Sequence, residues 1–187
     1  MTISSGRKYI YATAGLLVFI FYMIHPAYGQ FHPVSTASTI QFSIHNFGFK
    51  VTGSLSAPDG DIGFYPDSLS KSFFHMTVKA ETINTDNNAR DNHLREEEYF
   101  DVKNYPLIRF VSDNVRAGSK TGEYVATGTL TIKKKSKAIQ LPFTAVKNGN
   151  GWMLSGGFKM NRRDFDIGGS STLSNELEVA IKVLAVK

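Results

Sequence analysis

Hydrophobic and polar residues alternate along most of the chain from residue 40 to residue 185, which is the pattern of strands that show one apolar and one polar face. In the first such segment, Ile40, Phe42 and Ile44 share one face. Seven further segments repeat the pattern, at residues 51–55, 74–80, 107–115, 124–132, 139–145, 152–160 and 177–185. The pattern therefore predicts eight strands, most of them joined by short turns. Asn148-Gly149-Asn150-Gly151 is a strong signal for one hairpin.

Two segments interrupt the alternation. Residues 56–71 begin with Ser, Ala, Pro, Asp, Gly and Asp, which are mostly turn-forming residues. Residues 86–100 contain good helix formers, and Asp91 precedes Arg95 by four positions, the order that stabilises a helix. We therefore predict a turn-rich connection and one short helix, which lies between the third and fourth predicted strands.

Eight antiparallel strands with one apolar face can form a sandwich or a closed barrel. A closed barrel has no sheet edges, and with eight strands it encloses either packed side chains or one slender ligand. Five inward-facing positions carry small residues, which leave space and favour a cavity: Gly53, Ala80, Ala126, Gly128 and Gly156.

The first 29 residues have a different organisation. Arg7 and Lys8 precede an uncharged, mostly apolar run at residues 9–24, and Ala27-Tyr28-Gly29 follows it. This is the pattern of a secretory signal peptide, and the run is shorter than the roughly 20 residues that a membrane span needs. We predict a signal peptide at residues 1–29, cleavage after Gly29, and a periplasmic or secreted domain at residues 30–187. An uncleaved anchor is the alternative.

Composition narrows the function classes further. The chain contains no Cys, which excludes disulfides, a thiol nucleophile and Cys-ligated metals. From residue 30 onward, the chain has 19 Lys and Arg and 16 Asp and Glu. This excess of positive charge is too small and too dispersed to indicate nucleic-acid binding. The sequence has no HExxH motif, P-loop, Rossmann glycine pattern or G-x-S-x-G elbow. We therefore expect no nucleic-acid partner, no metal and no catalytic residue.

Several motifs follow one another along the predicted mature chain. They are Ser38-x-Ile40-x-Phe42-x-Ile44-His45, Arg90-Asp91-Asn92-His93-Leu94, Tyr99-Phe100-Asp101-Val102, Tyr105-Pro106-x-Ile108-x-Phe110, Gly128-Thr129-Leu130-Thr131-Ile132, Leu141-Pro142-Phe143 and Asn161-Arg162-x-Asp164-Phe165. In this order they resemble the YceI family of lipocalin-like, polyisoprenoid-binding proteins, over about residues 31–187. Two departures are Ser35, where the family often has Asp, and the turn at residues 133–135, Lys-Lys-Lys here, where it usually has Gly.

The resemblance implies an all-β, eight-stranded antiparallel lipocalin-like β-barrel with one short helix between strands three and four. It also implies that the barrel interior holds an amphiphilic isoprenoid, either a polyprenyl phosphate or a quinone-like lipid. The family's periplasmic or secreted location agrees with the signal peptide predicted from the N-terminus.

The apolar face supplies ten candidates for a ligand-binding cavity: Phe42, Ile44, Phe74, Met76, Val78, Phe110, Leu130, Phe143, Phe158 and Val179. For each of them, ordinary core packing is the alternative. The head-group candidates are His45, Arg90, His93 and Arg162. Arg90 and His93 are three apart on the predicted helix, so they share a face and could meet a phosphate or carbonyl at the barrel mouth. The alternatives are a local ion pair for Arg90, a backbone cap for His93 and a surface ion pair for Arg162.

These observations lead us to expect non-enzymatic binding of an isoprenoid lipid, for transport, storage or stress protection, with no cofactor besides that lipid. One alternative is a barrel enzyme that acts on a small lipid, which needs an acid–base pair in the cavity. Another is an interaction module whose barrel is filled by side chains. The sequence also leaves open a homodimer, and the basic turn at residues 133–135 leaves open a transient contact with an anionic membrane.

Overall fold

The computed structural model describes residues 30–169 and 172–187; the predicted signal peptide lies outside them. The strands are β1 (His32–Pro33), β2 (Thr39–Asn46), β3 (Phe49–Leu55), β4 (Asp59–Gly63), β5 (Phe73–Lys79), β6 (Leu107–Ala117), β7 (Glu123–Ile132), β8 (Lys135–Asn148), β9 (Gly151–Asn161) and β10 (Leu173–Val186). Helix α1 (Asn88–Arg95) lies between β5 and β6, and short 3-10 helices cover Ser35–Ala37, Leu69–Lys71, Ala80–Thr82 and Arg162–Phe165. Within these residues, no helix has the length and apolar character needed to cross a membrane.

All the strands belong to one antiparallel sheet, in the order β3-β2-β10-β9-β8-β7-β6-β5-β4, with β1 paired to the end of β10. The sheet curls around its apolar face, and β3 and β4 are its two edges. Two isolated bridges connect these edges to neighbouring segments. Phe31 and Ile62 exchange backbone hydrogen bonds of 2.8 and 2.9 Å, and Ser54 and Asn84 exchange bonds of 2.8 and 3.0 Å. The result is an antiparallel, lipocalin-like half-barrel, which confirms the predicted fold class.

The eight predicted strands correspond to β2, β3 and β5 to β10, and the structure adds two short ones. β1 has two residues, and β4 has five within the segment that we interpreted as turns. Asp and Gly are poor strand formers, so local propensity does not predict β4. Its pairing with β5 and the bridge from Phe31 hold it in the sheet instead. The predicted hairpin is confirmed, because β8 ends at Asn148 and β9 begins at Gly151.

Helix α1 is shorter than the predicted segment, residues 86–100. Asn87 caps its start, since its side-chain oxygen accepts a hydrogen bond from the backbone N–H of Arg90 at 3.0 Å. The helix ends at Arg95 because Glu96 is extended. The turns that follow pack Tyr99 and Phe100 against an apolar cluster of the barrel, a tertiary contact that helix propensity does not encode.

Two apolar clusters form the core of the barrel. The first surrounds Phe64, whose buried ring makes edge-to-face contacts with Tyr124, Phe143 and Trp152 at centroid distances of 5.0, 5.8 and 5.2 Å. The second is formed by Leu130, Ile132, Phe165 and Ile167. The curled sheet surrounds a cavity, and members of both clusters border it.

The outer face of the sheet is polar. On adjacent strands β9 and β10, Lys159 lies 3.4 Å from Glu176 and 3.3 Å from Glu178. The hydrogen bond to Glu178, then that to Glu176, and the charges of both raise the pKa of Lys159. All three side chains are exposed to solvent, so the contribution of this network to stability is small.

The sequence predicts that small side chains at five positions leave space for the cavity: Gly53, Ala80, Ala126, Gly128 and Gly156. This prediction is wrong for four of the five. Only Gly156 borders the cavity. The ring of Phe42 covers Gly53, where a Cβ would lie 2.3 Å from its Cζ, and a Cβ on Gly128 would lie 2.3 Å from the Val111 carbonyl oxygen. Ala80 and Ala126 are fully enclosed by their neighbours.

Candidate functional site

The concave face of the sheet surrounds an apolar cavity of about 460 Å³. Sites for small molecules typically measure about 300–1,000 Å³, so the cavity has the size of a ligand site. All ten residues that the alternation predicts for a cavity border it: Phe42, Ile44, Phe74, Met76, Val78, Phe110, Leu130, Phe143, Phe158 and Val179. The structure brings them together because side chains two apart on a strand share a face, and the sheet curls that face inward.

The cavity wall contains further apolar side chains that continue the same period-2 pattern. They include Ile40, Val51, Leu55, Ile139, Leu141, Met160, Leu177, Ile181 and Val183. Each lies on the apolar face of a predicted strand, so the alternation that identifies the ten also identifies these. Ile83, Leu94, Tyr99 and Ile167 belong to connecting segments instead, and no strand pattern predicts them.

Helix α1 and the residues before it form one side of the cavity mouth. Arg90 donates from Nε to the hydroxyl oxygen of Thr85 and from Nη2 to its carbonyl oxygen, both at 2.7 Å. Asp91, which is buried, accepts hydrogen bonds on Oδ1 from the backbone N–H of Thr85 at 2.9 Å and from the Thr85 hydroxyl. These contacts hold the Arg90 guanidinium at the rim, where the side chain stays exposed to solvent.

His93 lies beside Arg90 along the same cavity wall. Its ring meets that of Tyr99 edge-on, with the centroids 4.9 Å apart. One helical turn separates Arg90 from His93, so both point to the mouth, as their spacing predicts. Whether they contact a ligand head group stays a prediction.

Arg162 is 2% exposed and also borders the cavity, so its side chain is buried and does not lie on the surface. Its Nε donates to the Ser174 carbonyl at 3.0 Å, Nη1 to those of Ile167 at 2.7 Å and Gly169 at 3.3 Å, and Nη2 to those of Gly169 at 3.3 Å and Leu173 at 3.2 Å. Burial lowers the pKa of Arg162, and the charge of Arg163 adds to the effect. Arg162 therefore organises the connection between β9 and β10 and brings a buried positive charge to the cavity.

The structure does not place His45 at the cavity. It lies on the outer face of β2, exposed and paired in register with Lys50 on β3. Because Ile44 points inward, the next residue along the strand must point outward. The head-group prediction for His45 therefore conflicts with the observed geometry.

Two of the three lysines in the basic turn at residues 133–135 contact other segments of the chain. Lys133 donates from Nζ to the carbonyls of Glu97 at 3.0 Å and Asp166 at 3.1 Å, and Lys135 lies 3.4 Å from the Asp166 carboxylate. Lys133 thus fastens the segment after α1 to the connection between β9 and β10, whereas Lys134 is exposed to solvent, and a transient contact of this turn with an anionic membrane stays an open alternative.

The sequence analysis does not identify three polar residues at the mouth, which are Asn46, Thr85 and Thr172. Thr85 accepts a hydrogen bond from Arg90, and Thr172 donates from its hydroxyl to the side-chain oxygen of Asn46 at 2.9 Å. All three border the cavity. Their positions next to turns carry no chemical signal in the sequence, since the partners of Thr85 and Thr172 are set by the folded loops.

A single curled antiparallel sheet around an apolar cavity with a polar mouth defines a lipocalin-like binding barrel. A family profile described as the YceI-like domain matches residues 31–185, and the chain belongs to this family. A UPF0312 protein of Photorhabdus laumondii is 29% identical, over 79% of this chain and 80% of that protein. A UPF0312 protein of Pectobacterium carotovorum is likewise 29% identical, with the same shares of 79% and 80%.

Solved structures have the same fold. Burkholderia cenocepacia BcnA superimposes with a TM-score of 0.77 at 21% identity, over 82% of this chain and 99% of that one. The Campylobacter jejuni YCEI protein has a TM-score of 0.64 at 28% identity, over 73% and 85%. A polyisoprenoid binding domain from Saccharophagus degradans has a TM-score of 0.65 at 12% identity, over 84% and 97%.

Proposed function

We propose that this protein binds an amphiphilic isoprenoid lipid, a polyprenyl phosphate or a quinone-like lipid, with its tail in the barrel and its head group at the mouth. The observation that carries the proposal is the distribution of polarity in the cavity. Its wall is apolar over most of its surface, whereas its solvent-exposed polar residues, Arg90, His93 and Thr172, mark the mouth. Thr85 and Asn46 lie beside them, hydrogen-bonded to Arg90 and Thr172. The neighbouring structure described as a polyisoprenoid binding domain supports this ligand class.

Tail burial supplies the affinity in this proposal. Well-fitted ligands of this size gain about 0.3 kcal/mol per heavy atom, so each buried five-carbon unit contributes about 1.5 kcal/mol. The apolar wall does not distinguish one prenyl chain from another of equal length. Selection between phosphate and quinone head groups therefore falls to the charged and polar residues at the mouth.

Two other functions compete with lipid binding. An interaction module requires a barrel filled by side chains, and the cavity of about 460 Å³ argues against that arrangement. An enzyme requires an acid–base pair facing its substrate. The titratable residues along the described cavity wall are Arg90, His93, Tyr99 and Arg162, and no carboxylate is among the residues that border it. We therefore favour binding without chemical conversion, in the periplasm or outside the cell, as the N-terminal segment predicts.

Native mass spectrometry of the protein purified from the periplasm tests this function. We expect one prenyl lipid per protein, released by organic solvent and identified after extraction. The proposal fails if the protein is empty and also refuses added polyprenyl phosphates and quinones. A bound molecule of another chemical class would refute the ligand assignment while leaving the cavity as the site.

A double variant, Arg90→Ala with His93→Ala, tests the head-group assignment. We expect affinity for a polyprenyl phosphate to fall about tenfold, because a charge-assisted hydrogen bond to phosphate is worth about 1.5–3 kcal/mol. Affinity for a quinone of equal chain length should change much less. The control is Arg116→Ala with His75→Ala, which removes the same chemical groups from exposed positions away from the cavity. Equal losses for the two lipids would contradict the assignment.

A further inference from the structure

The hairpin between β2 and β3 ends in two exposed aromatic side chains. Phe47 is 73% exposed and Phe49 is 78% exposed, more than any other large hydrophobic residue in the described part of the chain. Most other phenylalanines among the described residues belong to the core or border the cavity, including Phe64, Phe74, Phe143 and Phe165. Packing inside the protein therefore does not explain the two rings at this tip.

The backbone at the tip adds a second observation. Phe47 and Gly48 form a two-residue turn between Asn46 and Phe49, with φ of 50° and 82°. Both residues are in the left-handed region, where tight hairpins strongly prefer Asn-Gly. A bulky aromatic residue is disfavoured there by the contact of its Cβ with the backbone. Phe47 thus occupies an unfavourable position without gaining burial in return.

The tip continues the wall of the cavity. Val51 and Leu55 border the cavity from β3, and Phe49 lies on the same face of that strand one step beyond the mouth. At the base of the turn, the Phe47 N–H donates to the carbonyl of Thr172, a residue of the mouth, at 3.4 Å. Phe49 therefore extends the apolar inner surface outward from the opening, and Phe47 lies beside it in the turn.

We propose that this hairpin tip docks the protein on a lipid bilayer, with Phe47 and Phe49 inserted at the interface and the cavity mouth facing the membrane. Phenylalanine is among the apolar residues that interfacial segments bury at the boundary between lipid head groups and acyl chains. The hairpin, residues 39–55, carries Lys50 and no Asp or Glu, so its charge complements anionic lipid head groups. The inference rests on the proposed function and adds the route of loading, because a lipid can then pass from bilayer to cavity without crossing water.

A second copy of the chain fits this surface less well. Two phenylalanine side chains present at most roughly 400 Å², whereas a stable interface buries about 800 Å² on each partner. A bilayer accepts a small apolar tip without a complementary surface. The bilayer is therefore the occupant that the area favours.

The test measures binding of residues 30–187, which contain the complete sheet and the family match, to vesicles of phosphatidylcholine with phosphatidylglycerol. Phe47→Asn with Phe49→Thr should lower the partition constant about tenfold, since two rings lose their apolar contact. The melting temperature should stay the same or rise, because Asn-Gly suits the turn. The control Val146→Thr changes a side chain that is 63% exposed on β8 and should not affect partitioning.

Lipid transfer separates this inference from the proposed function. The double variant should bind a short, water-dispersed prenyl phosphate as the parent does, but load a long-chain lipid from vesicles more slowly. Vesicle partitioning equal to that of the parent overturns the docking inference and leaves lipid binding intact. A parent that does not bind vesicles, or a variant whose only change is in oligomeric state, also overturns it. If neither protein binds any prenyl lipid, the proposed function fails, and the partition constants still decide whether the tip docks.

Discussion

Arg162→Met is expected to lower the free energy of unfolding by about 3 kcal/mol. The guanidinium donates to four backbone carbonyls between residues 167 and 174, and the side chain is buried. A hydrogen bond from a charged donor contributes about 1.5–3 kcal/mol, and a buried acceptor that loses its partner costs about 1–3 kcal/mol. Methionine keeps much of the apolar stem, so the loss reports mainly on the hydrogen bonds. Equilibrium unfolding in urea measures it.

Arg163→Met is the matched control for this measurement. Arg163 is the next residue, is exposed, and donates to the Gly168 carbonyl, so its replacement should cost less than about 1 kcal/mol. Similar losses for the two variants would contradict the role assigned to Arg162. Because Arg162 borders the cavity, its variant should also release bound lipid more quickly, while the control retains it.

Alternation of side chains is sufficient to predict the part of the cavity wall that the strands form. Once Ile44 is assigned to the inner face, the strand period places Phe42 there and His45 outside, without any knowledge of the partner strands. The same rule holds on β10, where Leu177, Val179 and Ile181 all border the cavity. The prediction of His45 as a head-group residue contradicts this rule, since His45 lies on the polar face that the alternation itself defines.

Features that depend on contacts between distant segments could not be predicted. β4 exists because Ile62 bridges to Phe31 and its neighbours pair with β5, although its own sequence favours a turn. Arginine is usually exposed, so nothing local indicates that the Arg162 side chain is buried. Its burial follows from four carbonyl groups that converge on it only when the connection to β10 folds back.

Val179→Trp is expected to weaken binding of a prenyl lipid about 30-fold while the barrel remains folded. Val179 points from the middle of β10 into the cavity, where the indole has space that the cavity already provides. Tryptophan adds seven heavy atoms to the side chain. If these displace about as many ligand atoms at about 0.3 kcal/mol each, the loss is about 2 kcal/mol, which corresponds to about 30-fold in affinity.

Ala180→Trp is the control, because the adjacent residue places the same side chain on the outer face of the same strand. Its affinity should match that of the parent, measured by native mass spectrometry against a titrated polyprenyl phosphate. Equal affinity in all three proteins would mean that the lipid lies elsewhere, whereas equal losses in the two variants would indicate a general effect of a large residue on β10. If only Val179→Trp loses affinity, the lipid tail lies in the barrel interior, because the two variants place the same indole on opposite faces of the strand.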